Sequence, residues 1–142
     1  MVALSSAGSS PGDDAAPAHV LVVDDDPNVL ALMSRILDEA GYVTTRASDG
    51  LDALRRIEEQ PRAFNAVVSD ILMPKLDGVE LQARLTRLRP SLPVVLLSGY
   101  SPPDLHHRGI EPPCAVLPKP VPPETLVAIV RDCIAGRRPS AS

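Results

Sequence analysis

The chain is 142 residues long, 44% hydrophobic and 23% charged, which suits one globular domain with a core of ordinary size and leaves no room for a second. Its net charge of −4, with 14 basic residues scattered along the chain, excludes a nucleic-acid surface built on clustered Lys and Arg. No basic and apolar signal segment opens the chain and no run approaches the roughly 18 apolar residues of a membrane span, so neither nucleic acid nor a membrane is an expected partner and the expected location is cytoplasmic.

Residues 1–18 are mostly Ser, Ala, Gly, Pro and Asp, with little to bury, and read as a flexible leader. His19 to Val23 is an apolar run that delivers Asp24, Asp25 and Asp26 at its end, the pattern of a buried parallel strand with acids at its tip. Asp26 suits a helix N-cap and Pro27 the first helical position. Val29, Met33, Ile36, Leu37 and Ala40 then recur at helical spacing until Gly41. Tyr42 to Ala47 has strand composition, with Ser48 expected to cap a helix whose Leu51, Leu54 and Ile57 share one face.

Ala66 to Asp70 is a second acid-tipped apolar run, closed by Pro74 and the Asp77-Gly78 turn pair. A helix from about Gly78 to Leu88 follows, with Leu81, Leu85 and Leu88 on its inner face. Pro93 to Leu97 ends in Ser98-Gly99-Tyr100, and Pro102, Pro103, Pro112 and Pro113 leave only residues 104–110 for a shortened fourth helix. Cys114 to Leu117 leads to Pro118-Lys119-Pro120. Leu126, Ile129, Val130 and Cys133 then line a final helix to Gly136, with Val127 and Ile134 widening its apolar face as extra core. Residues 137–142 read as a flexible tail, which leaves 19–136 as the folded domain. Cys114 and Cys133 form no CxxC pair and read as reduced core residues of a cytosolic protein.

Apolar strands alternating with helices imply right-handed crossovers, hence a parallel sheet covered on both faces, an α/β three-layer sandwich. Such sheets do their chemistry at the carboxyl ends of the strands. Those ends carry Asp24 and Asp25, Asp70, Ser98 and Lys119. Carboxylates crowded together repel unless a cation lies between them, and oxygen ligands with open positions suit Mg²⁺. Asp70 can then act as a nucleophile that forms an acyl phosphate, with Lys119 as a point charge and Ser98 as a hydrogen-bond donor to the phosphoryl oxygens.

HVLVVDDDP, VVSDILMPKLDG, VVLLSGY and LPKP, in that order, resemble the receiver domain of bacterial two-component response regulators, over about His19 to Gly136. The resemblance implies a five-stranded parallel sheet of order 2-1-3-4-5, the flavodoxin-like order. It makes Asp70 the phosphoacceptor and Asp24 and Asp25 the acids that hold Mg²⁺ with it. Leu72 becomes the residue whose backbone carbonyl also meets the metal, Ser98 the switch hydroxyl, and Lys119 the phosphate-binding lysine, joined to Pro120 by a cis bond. The implied partners are a histidine kinase or phosphotransfer protein and a downstream protein of unknown identity, since the 142 residues carry no fused DNA-binding or enzymatic module. The Gly-Tyr-Ser after the switch position resembles receivers at the end of hybrid sensor kinases.

The chain departs from the family at Val116, where an aromatic switch residue is usual, and in its proline-bracketed fourth helix. Leu72 and Tyr100 occupy the positions that tune loss of the phosphoryl group. Neither orients water well, so slow autodephosphorylation is expected. His106 and His107 read as solvated loop residues. The competing reading from another class is an aspartyl phosphohydrolase of the haloacid-dehalogenase type with Asp24 as nucleophile, which leaves Asp70 without a role. A receiver-like interaction domain that is never phosphorylated is the third.

Overall fold

The computed structural model describes residues 17–99 and 112–137. In chain order the elements are β1 (His19–Val23), α1 (Pro27–Glu39), β2 (Val43–Ala47), α2 (Gly50–Glu59), β3 (Ala66–Asp70), α3 (Gly78–Leu88), β4 (Val94–Ser98), β5 (Ala115–Pro118) and α4 (Pro123–Ile134). The expected helix over 104–110, His106, His107 and Tyr100 lie outside the described residues.

All the strand pairs are parallel, in the order β2-β1-β3-β4-β5. The crossover helices fall on the two faces and split the core in two. On one side α2 and α3 pack Ala53, Ile57, Leu81 and Leu85 against Leu21, Val23, Val67 and Leu96. On the other α1 and α4 pack Met33, Leu37, Leu126 and Val130 against Val20, Val22, Val68 and Val95. Alternate residues of β1, β3 and β4 enter opposite clusters, which is why these strands read as unbroken apolar runs. Val127 and Ile134 are partly buried against the α1/α4 cluster, as expected of extra core.

The helix starts follow capping chemistry. Asp26 caps α1, its Oδ1 accepting from the Asn28 N–H at 2.9 Å, with Pro27 first in the helix. The chain leaves α1 through Gly41 at φ +100° and α4 through Gly136 at φ +82°, both in the left-handed region that suits glycine after a helix. The cap of α2 is Asp49 rather than Ser48. Asp49 accepts from the Asp52 N–H at 2.8 Å, and Asp52 reaches back to the Ser48 N–H at 3.4 Å, so an acid three residues further on completes the pair one position later than expected.

Two inner faces differ from the periodic reading. Leu51 is 46% exposed, because Gly50, Ala53 and Ile57 form the buried stripe of α2. In α3 Leu81 and Leu85 are buried as expected, but Leu88 is 48% exposed, and Gly78, Val79 and Gln82 complete the inner face instead. In both helices the first residue is a glycine set against the backbone of the 71–77 loop or of Asp70, and that contact fixes the rotation.

Cys114 and Cys133 are not reduced core thiols: they form a disulfide with Cα atoms 6.0 Å apart, within the usual disulfide span. Cys114 immediately precedes β5 and Cys133 lies in the last turn of α4, so packing of the helix on the strand brings together residues 19 apart in sequence. Among the described residues no helix is long and apolar enough to cross a membrane.

Candidate functional site

Register decides which residues meet at the carboxyl edge of the sheet. Val23 pairs with Ser69, Asp70 with Leu97 and Ser98 with Pro118, so each strand ends within one residue of its neighbour. Asp24, the next residue along β1, therefore falls level with Asp70, while Ser98 lies one position and Lys119 two positions beyond that level. The Lys119 N–H donates to the Ser98 carbonyl at 2.8 Å, which carries the ladder one step past the strands. The Lys119–Pro120 peptide is cis, as the resemblance implied.

At this edge Asp24, Asp25 and Asp70 bring one carboxylate oxygen each to within 4.8 Å of one another. Asp24 and Asp70 are both buried, Asp70 at 8% exposure, and Asp25 is exposed, so the cluster opens toward Asp25. Lys119 reaches into the cluster, its Nζ 3.4 Å from Asp24 Oδ2 and 3.3 Å from Asp70 Oδ2. Ser98 is buried at the end of β4. The Leu72 side chain is 58% exposed, which leaves its backbone as the part that can serve the site. Val116 is half-buried and packs on the α2/α3 side of the core.

The electrostatics match the geometry. Burial pushes the Asp24 carboxyl above the usual carboxylate range; the Asp26 N–H and Lys119 pull it back down, and the nearby Asp70 pushes it up again. That N–H donates to Asp24 Oδ1 at 2.9 Å. Burial works against the charge on Lys119, but attraction from Asp24 and Asp70 outweighs it and holds the ammonium protonated, above its ordinary value. One lysine opposite three carboxylates leaves the cluster with excess negative charge and several free lone pairs. Hard oxygens in this number, open on one side, fit a divalent cation such as Mg²⁺, which keeps some waters and accepts further oxygen ligands.

Gly78 has a part in the site beyond the turn that its sequence context suggests. A Cβ at Gly78 would lie 2.4 Å from the Asp70 carbonyl oxygen and 2.9 Å from Ile71 Cα, and its own N–H donates to the Ile71 carbonyl at 2.8 Å. The helix α3 can therefore start directly behind Asp70 only because this residue has no side chain. The Asp-Gly pair was the available signal, though it did not reveal the contact.

Comparison with known proteins gives one consistent result. The profile of the response regulator receiver domain matches residues 20–131. The chain is 42% identical over 116 residues to the two-component response regulator ORR21 of Oryza sativa subsp. indica, a match covering 81% of this chain and 17% of that protein. Among solved structures it is similar to the response regulator receiver domain protein of Clostridium thermocellum, with a TM-score of 0.77 and 26% identity over 84% of this chain and 95% of that one. It also resembles the Vibrio cholerae chemotaxis protein CheY4, with a TM-score of 0.74 and 28% identity over 83% and 99% of the two chains. The chain spans 17% to 28% of the length of the first curated relatives it matches.

Proposed function

The chain belongs to the response regulator receiver domain family, and on that premise we propose how its residues divide the work of accepting a phosphoryl group. As a receiver it is a phosphoacceptor in two-component signalling. The haloacid-dehalogenase alternative gains no support from any of these likenesses.

In this reading Asp70 is the acceptor. A carboxylate oxygen of Asp70 attacks the phosphorus of a phosphohistidine; the phosphorus–nitrogen bond breaks as the acyl phosphate bond forms, and the imidazole leaves. Asp24, Asp25, Asp70 and the Leu72 carbonyl would hold Mg²⁺, which when bound supplies positive charge to the phosphoryl oxygens. Lys119 gives up its two carboxylate contacts to meet one of those oxygens, and the Ser98 hydroxyl donates to another. The transferring group gathers charge on its oxygens, so positioning and countercharge account for most of the rate. The observation that carries this reading is the Lys119 ammonium placed between Asp24 and Asp70 at the strand tips.

The folded unit is taken as residues 19–136, flanked by 1–18 and 137–142. It acts as a signalling domain that catalyses only its own phosphorylation and slow dephosphorylation. Its donor is a histidine kinase or phosphotransfer protein in the cytoplasm, and it contacts a downstream protein rather than nucleic acid or membrane. With Val116 in the place of the usual aromatic, the readout goes through other groups.

The test is incubation with a small phosphodonor and Mg²⁺, read by intact mass. Wild type gains one phosphoryl group and Asp70→Asn gains none. No gain in wild type rejects an active receiver, and loss of labelling in Asp24→Asn but not Asp70→Asn revives the phosphohydrolase. After removal of the donor the label outlasts many minutes, since Leu72 cannot orient water; decay within seconds contradicts this.

A further inference from the structure

The acceptor strand leaves the site through residues 71–77, and this loop is held from below by the start of α2. Leu76 is 5% exposed, and it rests on Gly50 so closely that a Cβ there would lie 2.3 Å from the Leu76 carbonyl oxygen and 2.9 Å from its Cβ. Beside this contact Lys75 Nζ pairs with Asp49 Oδ2 at 3.5 Å. Asp49 is also the cap of α2, so one carboxylate serves the helix and the loop.

The loop needs such a hold. The Leu76 N–H donates to the Pro74 carbonyl two residues back, at 2.7 Å, around Lys75 at φ +71°. This is a γ-turn with a positive φ at its centre, the rarer and more strained form. A lysine there lacks the freedom of glycine, and such a conformation persists only where surrounding contacts over-determine it. Contacts on both sides do so here: Gly50 and Asp49 below, and behind, Gly78 against the Asp70 carbonyl.

We propose that Asp49 and Gly50 are positioning residues of the phosphorylation site, acting as a latch that keeps the 71–77 loop, and with it the Leu72 backbone, in the shape that serves Asp70. Neither touches the reacting atoms. They act through Leu76 and Lys75, so their effect falls first on loop order and metal affinity and only then on phosphoryl transfer. The inference rests on the site assignment proposed above.

The experiment compares wild type with Gly50→Ala, Asp49→Asn, Lys75→Met and Lys75→Arg. Asparagine caps a helix about as well as aspartate, so Asp49→Asn removes the charge pair while sparing α2. Two readouts are taken: hydrogen exchange of peptides spanning 71–77 without metal, and Mg²⁺ affinity by calorimetry. Gly50→Ala should speed loop exchange and weaken Mg²⁺ binding roughly tenfold, since the clash is with backbone that must move. Asp49→Asn and Lys75→Met should each weaken binding about two- to fivefold, as expected of a pair exposed on the lysine side and half-buried on the other, with Lys75→Arg restoring wild-type behaviour.

Unchanged exchange and affinity in Gly50→Ala overturns the latch. If Gly50→Ala does not fold, Asp49→Asn and Lys75→Met decide: no change in either readout, or no restoration by Lys75→Arg, overturns it equally. Failure of the underlying site assignment looks different: wild type then binds no Mg²⁺ and takes no phosphoryl group, while the exchange data still report whether α2 holds the loop.

Discussion

Replacing Lys119 by Met should make the protein less stable and yet tighten its hold on Mg²⁺. The ammonium lies 3.3 Å from Asp70 Oδ2 and 3.4 Å from Asp24 Oδ2. At an effective dielectric near 20, one contact at this separation is about 5 kcal/mol of bare Coulomb attraction. Desolvation of the buried Asp24 offsets much of that, and Lys119, 28% exposed, is partly screened by water. The net loss on deletion should therefore be about 1–2 kcal/mol, between the values for exposed and buried pairs.

Without Mg²⁺, Lys119→Met should melt roughly 3–10 °C below wild type. With saturating Mg²⁺ the divalent cation neutralises the same carboxylates, and most of that deficit should vanish. Linkage then requires the variant to bind Mg²⁺ more tightly by the same free energy, about 5- to 30-fold. Phosphorylation by a small phosphodonor should fall in the same variant by roughly tenfold or more, because the transferring group loses a cation. Melting curves with and without Mg²⁺, calorimetric Mg²⁺ titration and labelling rates close the cycle. Equal destabilisation in both conditions, or weaker Mg²⁺ binding in the variant, would refute the view that lysine and metal share the same carboxylates.

Reduction of the disulfide between Cys114 and Cys133 opens a loop closed over 19 residues. Chain entropy assigns this about 3 kcal/mol, so a dithiol reductant should lower the melting temperature by roughly 10 °C; an unchanged melt in protein shown by mass to be reduced would count against this. Asp52 gives a pH signature. Burial pushes its carboxyl up, but hydrogen bonding from Arg55, attraction from Arg56 and the Ser48 N–H outweigh this and hold it below the usual value of 3.8. A folded-state pKa below the unfolded one means stability that is present above about pH 4 and is lost as pH falls through the folded value. Asp52→Asn should flatten the acid limb of the stability curve in that range, and chemical denaturation between about pH 5 and pH 2 would show an unaltered limb if the pairing were inconsequential.

How much of this could be read beforehand depended on whether the cause was local. Strands buried on both faces show as unbroken apolar runs, and an acid, a hydroxyl and a lysine at their ends have to point out of the sheet. Asp24, Asp70, Ser98 and Lys119 were therefore legible together, and the β2-β1-β3-β4-β5 order followed from the resemblance they carried. The outward turn of Leu51 and Leu88 was not legible, because periodicity gives a stripe but not its rotation. That was set by Gly50 and Gly78 against distant backbone. Ser48 was displaced as a cap by Asp49 because Asp52 answers it from inside the helix. The joining of Cys114 and Cys133 depends on where α4 lies on the sheet, which no spacing of apolar residues specifies.

The disulfide has a consequence for the site at the opposite end of the strands. The ring it closes, from Cys114 to Cys133, contains Lys119 but none of the three acids, which sit in the open chain before it. When α4 lifts away in a local opening, the lysine is not carried off with an unconstrained C-terminal segment. It stays on a short leash, at an effective concentration set by the ring rather than by the free chain. Recapture of the carboxylates is then a local encounter, and the domain regains its lysine at the strand tips without refolding the whole of its last third.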